Sequence, residues 1–207
     1  ESEELEEIDY ITSHSAVMWI AFSFLMPLGV AAPIFFRDCF PSVPGCWFKF
    51  HMGVQFLAAA FMIVGFVLAF YVTQNDDERF EDPHGQLGLS LIIFASLQML
   101  AGILRPHKEE GSEQSTIRTV WKGFHQIVGA FLVIGGLINC SLGLQANDQA
   151  EDIWKSLQWV WTAIVLILGI GGLIYMKGCR ESSEPKAHKL AMKSGTNINR
   201  KHETPRV

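Results

Sequence analysis

Apolar residues in this chain fall in five long runs separated by short polar segments. The runs are Ala16 to Phe36, Phe48 to Val72, Leu87 to Leu104, Phe124 to Leu144, and Val160 to Met176 with an aromatic lead-in from Trp154. Each approaches the roughly 20 residues a helix needs to cross a hydrocarbon core about 30 Å thick. Stretches such as Leu57 to Phe70 and Val165 to Ile174 are apolar on every side, whereas a membrane strand would alternate with period two over a shorter span. The pattern predicts an all-α fold, an integral membrane bundle of five transmembrane helices. Pro27 and Pro33 fall inside the first helix. Lipid-embedded helices tolerate proline because neighbouring helices can satisfy the carbonyls it frees, so a kink is expected there.

Three regions follow from this pattern: an acidic stub at 1–13 expected on the extracellular or lumenal side, a transmembrane domain at 14–176, and a basic tail at 177–207 expected to be cytoplasmic and disordered because it has almost no apolar surface. The chain starts at Glu1 with neither Met nor a leader pattern, so it is read as processed or as part of a longer protein. The bilayer is the expected surroundings, nucleic acid is not an expected partner, and a homodimer is left open.

Charge sets the expected orientation. If the first helix starts on one side of the membrane, the opposite side receives Arg37, Lys49, Arg105, Lys108, Arg118, Lys122, Lys177, Arg180 and the basic tail. The starting side holds only Arg79 and Lys155 as basic residues, with many carboxylates, among them Glu3, Asp76, Glu81, Asp82, Asp148 and Asp152. The positive-inside rule makes the first side extracellular or lumenal and the second cytoplasmic. The protein is thus expected to be a multi-pass protein of the plasma membrane or an endomembrane, with its amino terminus outside. Cys39 and Cys46 then face a reducing compartment, where no disulfide is expected.

Candidate chemistry lies in the histidines. His14, His51, His84 and His125 stand one per helix, each near its helix start. Successive helices run in opposite directions, so His14 and His84 share one depth and His51 and His125 the other. A single histidine at a helix end is ordinarily interfacial, but ionisable groups at membrane depth are costly, and two pairs at two depths ask for a common cause. Haem supplies one, because its iron takes an imidazole on each face while the apolar macrocycle fills the space between helices. Zinc fits less well, since each depth offers two nitrogens and no thiolate or carboxylate. The first four helices are therefore expected to form a two-haem core, with these four histidines as axial iron ligands. The similar intervals from His14 to His51 and from His84 to His125 suggest a duplicated helical hairpin. A haem-free structural membrane subunit and a haem subunit fed by a protein partner are the competing readings.

The order of motifs resembles the cytochrome b561 family, in its ferric-reductase-like branch associated with DOMON-type modules. The matching features are His14 followed by Met26-Pro27-Leu28-Gly29, Trp47 and His51 with Gln55, His84 with Gly88 and Gln98, and Leu104-Arg105-Pro106. Trp121, His125 and Gly129 follow, then Asn139 with Leu142-Gly143-Leu144. The resemblance covers the membrane part, and Ala130 departs from it where many relatives carry a basic residue. It implies two haem b groups on the same histidine pairs, and electron transfer from cytosolic ascorbate to an outer acceptor such as ferric iron or monodehydroascorbate.

With that implication, Lys49, Arg105 and Lys122, together with His107, become the candidate donor-binding residues at the cytosolic end of the His51 and His125 site. Their charge suits an anion such as ascorbate, and the acidic outer loops suit a cationic acceptor. Gln55, Gln98 and Asn139 are candidates to bond the free imidazole nitrogens, or else to bond between helices.

Overall fold

The computed structural model describes residues 2–37, 45–74, 80–106, 116–147 and 150–193. Cys39, Asp76, Arg79, His107, Lys108 and Asp148 lie outside these, as does the tail from 194 onward. The described chain is helical, with no strand: α1 (Ser2–Met18), a π-helical segment (Trp19–Leu25), α2 (Met26–Phe35), α3 (Cys46–Val72), α4 (Pro83–Ile103), α5 (Thr116–Ala146) and α6 (Asp152–Lys193). α1, the π segment and α2 form one span over Tyr10–Phe35. With Cys46–Val72, Pro83–Ile103, Thr116–Ala146 and Asp152–Met176 they make five helices long and apolar enough to cross a membrane. This is a multi-pass membrane protein.

Local chemistry fixes where the spans start. Asp82 caps α4, its Oδ1 accepting from the backbone N–H of His84 at 2.8 Å and of Gly85 at 3.0 Å, with Pro83 in the first turn. The cap thereby sets the position of His84. Gly45 precedes α3 at φ 79°, a left-handed conformation that glycine adopts without penalty.

The π segment in the first span sits just ahead of Pro27, which has no N–H to give the carbonyl four residues back, that of Ser23. The indole of Trp161 donates to that carbonyl instead, at 3.0 Å. Around it runs a polar seam: Trp19 donates to Gln158 at 2.8 Å, and Gln158 donates to Ser23 and to Thr162, each at 3.3 Å. Gln158, Thr162 and Ser23 are all buried. In lipid such groups need partners, and here they tie the start of α6 to the first span.

α1 packs on α3 and α4 on α5, while the π segment touches both α3 and α5 and closes the four helices around a core of Ala21, Phe22, Met26, Met62, Leu91, Ala95, Val128 and Leu132. Gly136 leaves room for the Phe22 ring, which a Cβ there would strike. Large apolar residues such as Ile63, Val67, Ile103 and Ile127 are exposed on the outside, the arrangement expected where lipid is the solvent.

The chain divides into two compact units, Glu1–Ile167 and Leu168–Val207. The first holds the four histidine-bearing spans. The second contains the rest of α6, whose helix continues to Lys193, into the segment after Lys177 that composition predicts to be disordered. Once a helix is nucleated extension is easier than initiation, and the Lys, Glu, Arg and Ala of 177–193 are good helix formers, although Pro185 within it adds no bond.

Candidate functional site

The fold brings the four histidines together in two pairs. The rings of His14 on α1 and His84 on α4 face each other with centroids 6.1 Å apart and planes at 84°. Those of His51 on α3 and His125 on α5 are 6.3 Å apart at 71°. All four are partly buried.

Backbone carbonyls orient three of the rings. Nδ1 of His14 lies 2.8 Å from Gly65 O, Nδ1 of His51 2.8 Å from Gly29 O, and Nδ1 of His84 3.1 Å from Asn139 O. A carbonyl only accepts, so in each case Nδ1 carries the proton and Nε2 keeps its lone pair free for a metal. His125 is held differently. Its Nδ1 is buried with no hydrogen-bond partner among the described residues. The indole of Trp121 stacks on its ring at 5.0 Å and 16°, and is itself fixed by donating to Ala101 O at 2.8 Å.

One helical turn beyond each histidine a large residue meets a glycine on the facing helix. A Cβ on Gly65 would lie 2.8 Å from Met18, and one on Gly29 would lie 2.7 Å from Gln55. In the second hairpin the sizes are exchanged: a Cβ on Gly88 or Gly129 would lie 3.2 Å from Asn139 or Gln98 respectively. His84 rests directly on Gly143, where a Cβ would come within 2.7 Å of its ring.

The amide side chains do not reach the imidazoles. Gln55 donates to Met26 O at 3.3 Å and Gln98 to His125 O at 2.6 Å, both ties between helices, and the role at His84 falls to the backbone of Asn139. Sequence could place these residues near the histidines but could not distinguish side-chain from main-chain acceptors.

Beside the His51–His125 pair lies a cluster of guanidinium groups and rings. Arg105 sits 4.6 Å from the Phe48 ring centre and 5.9 Å from that of Trp121, and Arg37 sits 4.9 Å over Trp47. Arg118 donates to Pro106 O at 2.9 Å. Burial, then the positive charges of Arg118 and Arg37, hold Arg105 below the ordinary arginine range. Of the three basic residues expected to bind a donor, Arg105 belongs to this cluster, whereas Lys49 and Lys122 are exposed residues of α3 and α5. Arg37 and Arg118 were visible only as part of the charge bias, because nothing in the sequence separates them from other loop cations.

The family model for eukaryotic cytochrome b561 matches residues 13–151, a span containing all four histidines. The chain belongs to the cytochrome b561 family. Among curated proteins it is 27% identical over 144 residues to a cytochrome b561 and DOMON domain-containing protein of Arabidopsis thaliana, covering 70% of this chain and 34% of the relative. It is 29% identical over 153 residues to a cytochrome b561 domain-containing protein of the same plant, covering 71% and 56%. It is 27% identical over 185 residues to a putative ferric-chelate reductase 1 of Xenopus laevis, covering 84% and 30%. The chain thus spans about a third of the length of most of these relatives. No solved structure matches it.

Members of this family bind haem b, and the residues present fit that group. With a metal–nitrogen distance of about 2.0 Å and the nitrogen about 1.2 Å from its ring centre, two imidazoles on opposite sides of one metal have centroids roughly 6.4 Å apart. Both b561 histidine pairs match that spacing. Among the described residues no three His, Cys, Asp or Glu side chains converge as a metal site, so a metal held by either pair would take its other ligands from elsewhere, as a porphyrin provides.

Proposed function

We propose that this b561 protein carries electrons across the membrane through two haem b groups, one held by His14 and His84 and the other by His51 and His125. The supporting observation is the facing of two imidazole pairs at bis-ligand spacing, three of the four rings presenting a free Nε2. When bound, each haem supplies a one-electron centre whose iron alternates between two oxidation states. The residues do the rest: the carbonyls of Gly65, Gly29 and Asn139 fix ring tautomer and orientation, Trp121 fixes the His125 ring, and the apolar core excludes water.

The donor in this reading is a small anion of the ascorbate type arriving from the cytoplasm. Arg105, Arg37 and Arg118 give the His51–His125 end a concentrated positive charge, and Trp121 lies against both Arg105 and His125. Lys49 and Lys122 extend that field as exposed cations. The acceptor is a cation such as ferric iron, drawn to the acidic outer side, or monodehydroascorbate; the orientation rests on the positive-inside bias.

The test is haem per polypeptide in purified protein, with stopped-flow reduction by ascorbate alone. Two haems and full reduction are expected. One haem, or reduction only after addition of a protein donor, would overturn this reading.

A further inference from the structure

The carbonyls that accept from the histidines are not equivalent. Gly65 O and Asn139 O lie inside regular helices, four residues before Ala69 and Gly143, whose backbone N–H groups complete the helical ladder. Gly29 O lies four residues before Pro33, which stands inside α2 and has no N–H. His51 donates to that carbonyl at 2.8 Å, and Trp161 donates to the Ser23 carbonyl in the π segment ahead of Pro27. Near each proline in the first span a main-chain carbonyl is taken by a side chain of another helix.

We propose that Pro33 is a positioning residue for His51, withholding a backbone N–H so that the Gly29 carbonyl is reserved for the imidazole. A carbonyl that already accepts a helical N–H has less charge to offer a second donor, and its remaining lone-pair direction constrains where that donor sits. An unshared one binds the Nδ1 proton more strongly and gives the ring more imidazolate character. Such a ligand stabilises the oxidised form of a bound iron and lowers its potential. Gln55 and Gly29 seal the arrangement: the side chain one turn beyond His51 lies on Gly29, too close for any Cβ there, so the main chains of α2 and α3 approach at this point. The carbonyl four residues before Pro33 is therefore presented to the histidine at a point where Gln55 packs on Gly29.

This proposal rests on the haem reading, and the experiment separates the two. Pro33→Ala restores an N–H that competes for Gly29 O. In protein retaining both haems, spectroelectrochemical titration should show one potential raised, with about a fivefold change in the oxidised-to-reduced ratio at fixed poise, roughly 40 mV at 59 mV per tenfold for one electron. The other potential should stay in place. Pro27→Ala, which restores the equivalent donor beneath Trp161, should move neither. As a second measurement, the reduced wild-type protein labelled with 15N-histidine should place the Nδ1–H of His51 furthest downfield of the four. Unchanged potentials in Pro33→Ala, an equal shift of both haems, or a His51 proton no further downfield than that of His14 would overturn the proposal. Absence of haem from the wild type would instead overturn the reading on which it rests.

Discussion

The two ends of the bundle use the same ligand pair and hold it in different ways. At the His14–His84 end both imidazoles donate to carbonyls of neighbouring helices, those of Gly65 and Asn139. At the His51–His125 end one imidazole has a carbonyl with no backbone N–H four residues ahead, and the other has no acceptor among the described residues but an indole against its face. One end is a matched pair beside the Asp82 cap; the other is unmatched and lies beside three guanidinium groups. A repeated hairpin can supply two sites with identical ligands, and what differentiates them is the set of groups that hold the ligands.

The sharpest way to break this comparison is to damage one end alone. Gly143→Val places a side chain where the His84 ring rests, and overpacking of about 1–3 kcal/mol corresponds to roughly 5- to 140-fold weaker binding. We expect haem at the His14–His84 end to be lost or greatly depleted and the other retained, read from haem content and low-temperature difference spectra. Depletion of both in equal measure would mean that the ends are not independent.

Trp121→Leu probes the opposite end. It removes the ring stacked on His125 and the hydrogen bond to Ala101, together worth about 1–2 kcal/mol, so haem at that end should bind about tenfold more weakly. Trp121→Phe keeps a ring without the N–H and should fall between. An unaltered affinity in Trp121→Leu would show that the stack does not hold the ligand.

The smallest effect expected is electrostatic. Arg105→Gln should slow reduction by ascorbate a few-fold at low salt, and less as salt screens the field over about 10 Å at 0.1 M. A neutral reductant should be unaffected. Equal slowing with both reductants would indicate a disturbed haem end, and no slowing would remove the anion surface from the account.

Much of the framework was legible in the chain itself. Length and continuity of the apolar runs define five helices, and one histidine per helix start, combined with antiparallel succession, defines two pairs. The support around each pair was not legible. Whether His84 meets the side chain or the carbonyl of Asn139 depends on the axial rotation of α5, and the sequence carries no measure of that. The π segment at Trp19–Leu25 is similarly invisible, since its partners Gln158 and Trp161 come from a helix distant in sequence. Gln158 reads as an isolated polar residue in an apolar run until Ser23 and Thr162 are beside it. The glycines that receive Met18, Gln55, Asn139 and Gln98 look like ordinary membrane packing glycines, because only a three-dimensional neighbour distinguishes a size exchange from a loose contact.

The central claim is the pairing of His14 with His84 and of His51 with His125 as ligands of two separate haems. The four single His→Ala variants, each purified and measured for haem content and reduced-minus-oxidised spectrum, test it most directly. His14→Ala and His84→Ala should lose the same haem and keep the other, and His51→Ala and His125→Ala should show the reciprocal loss. If His14→Ala and His84→Ala retained different haems, or if any of the four variants kept both at full occupancy, the pairing would be wrong.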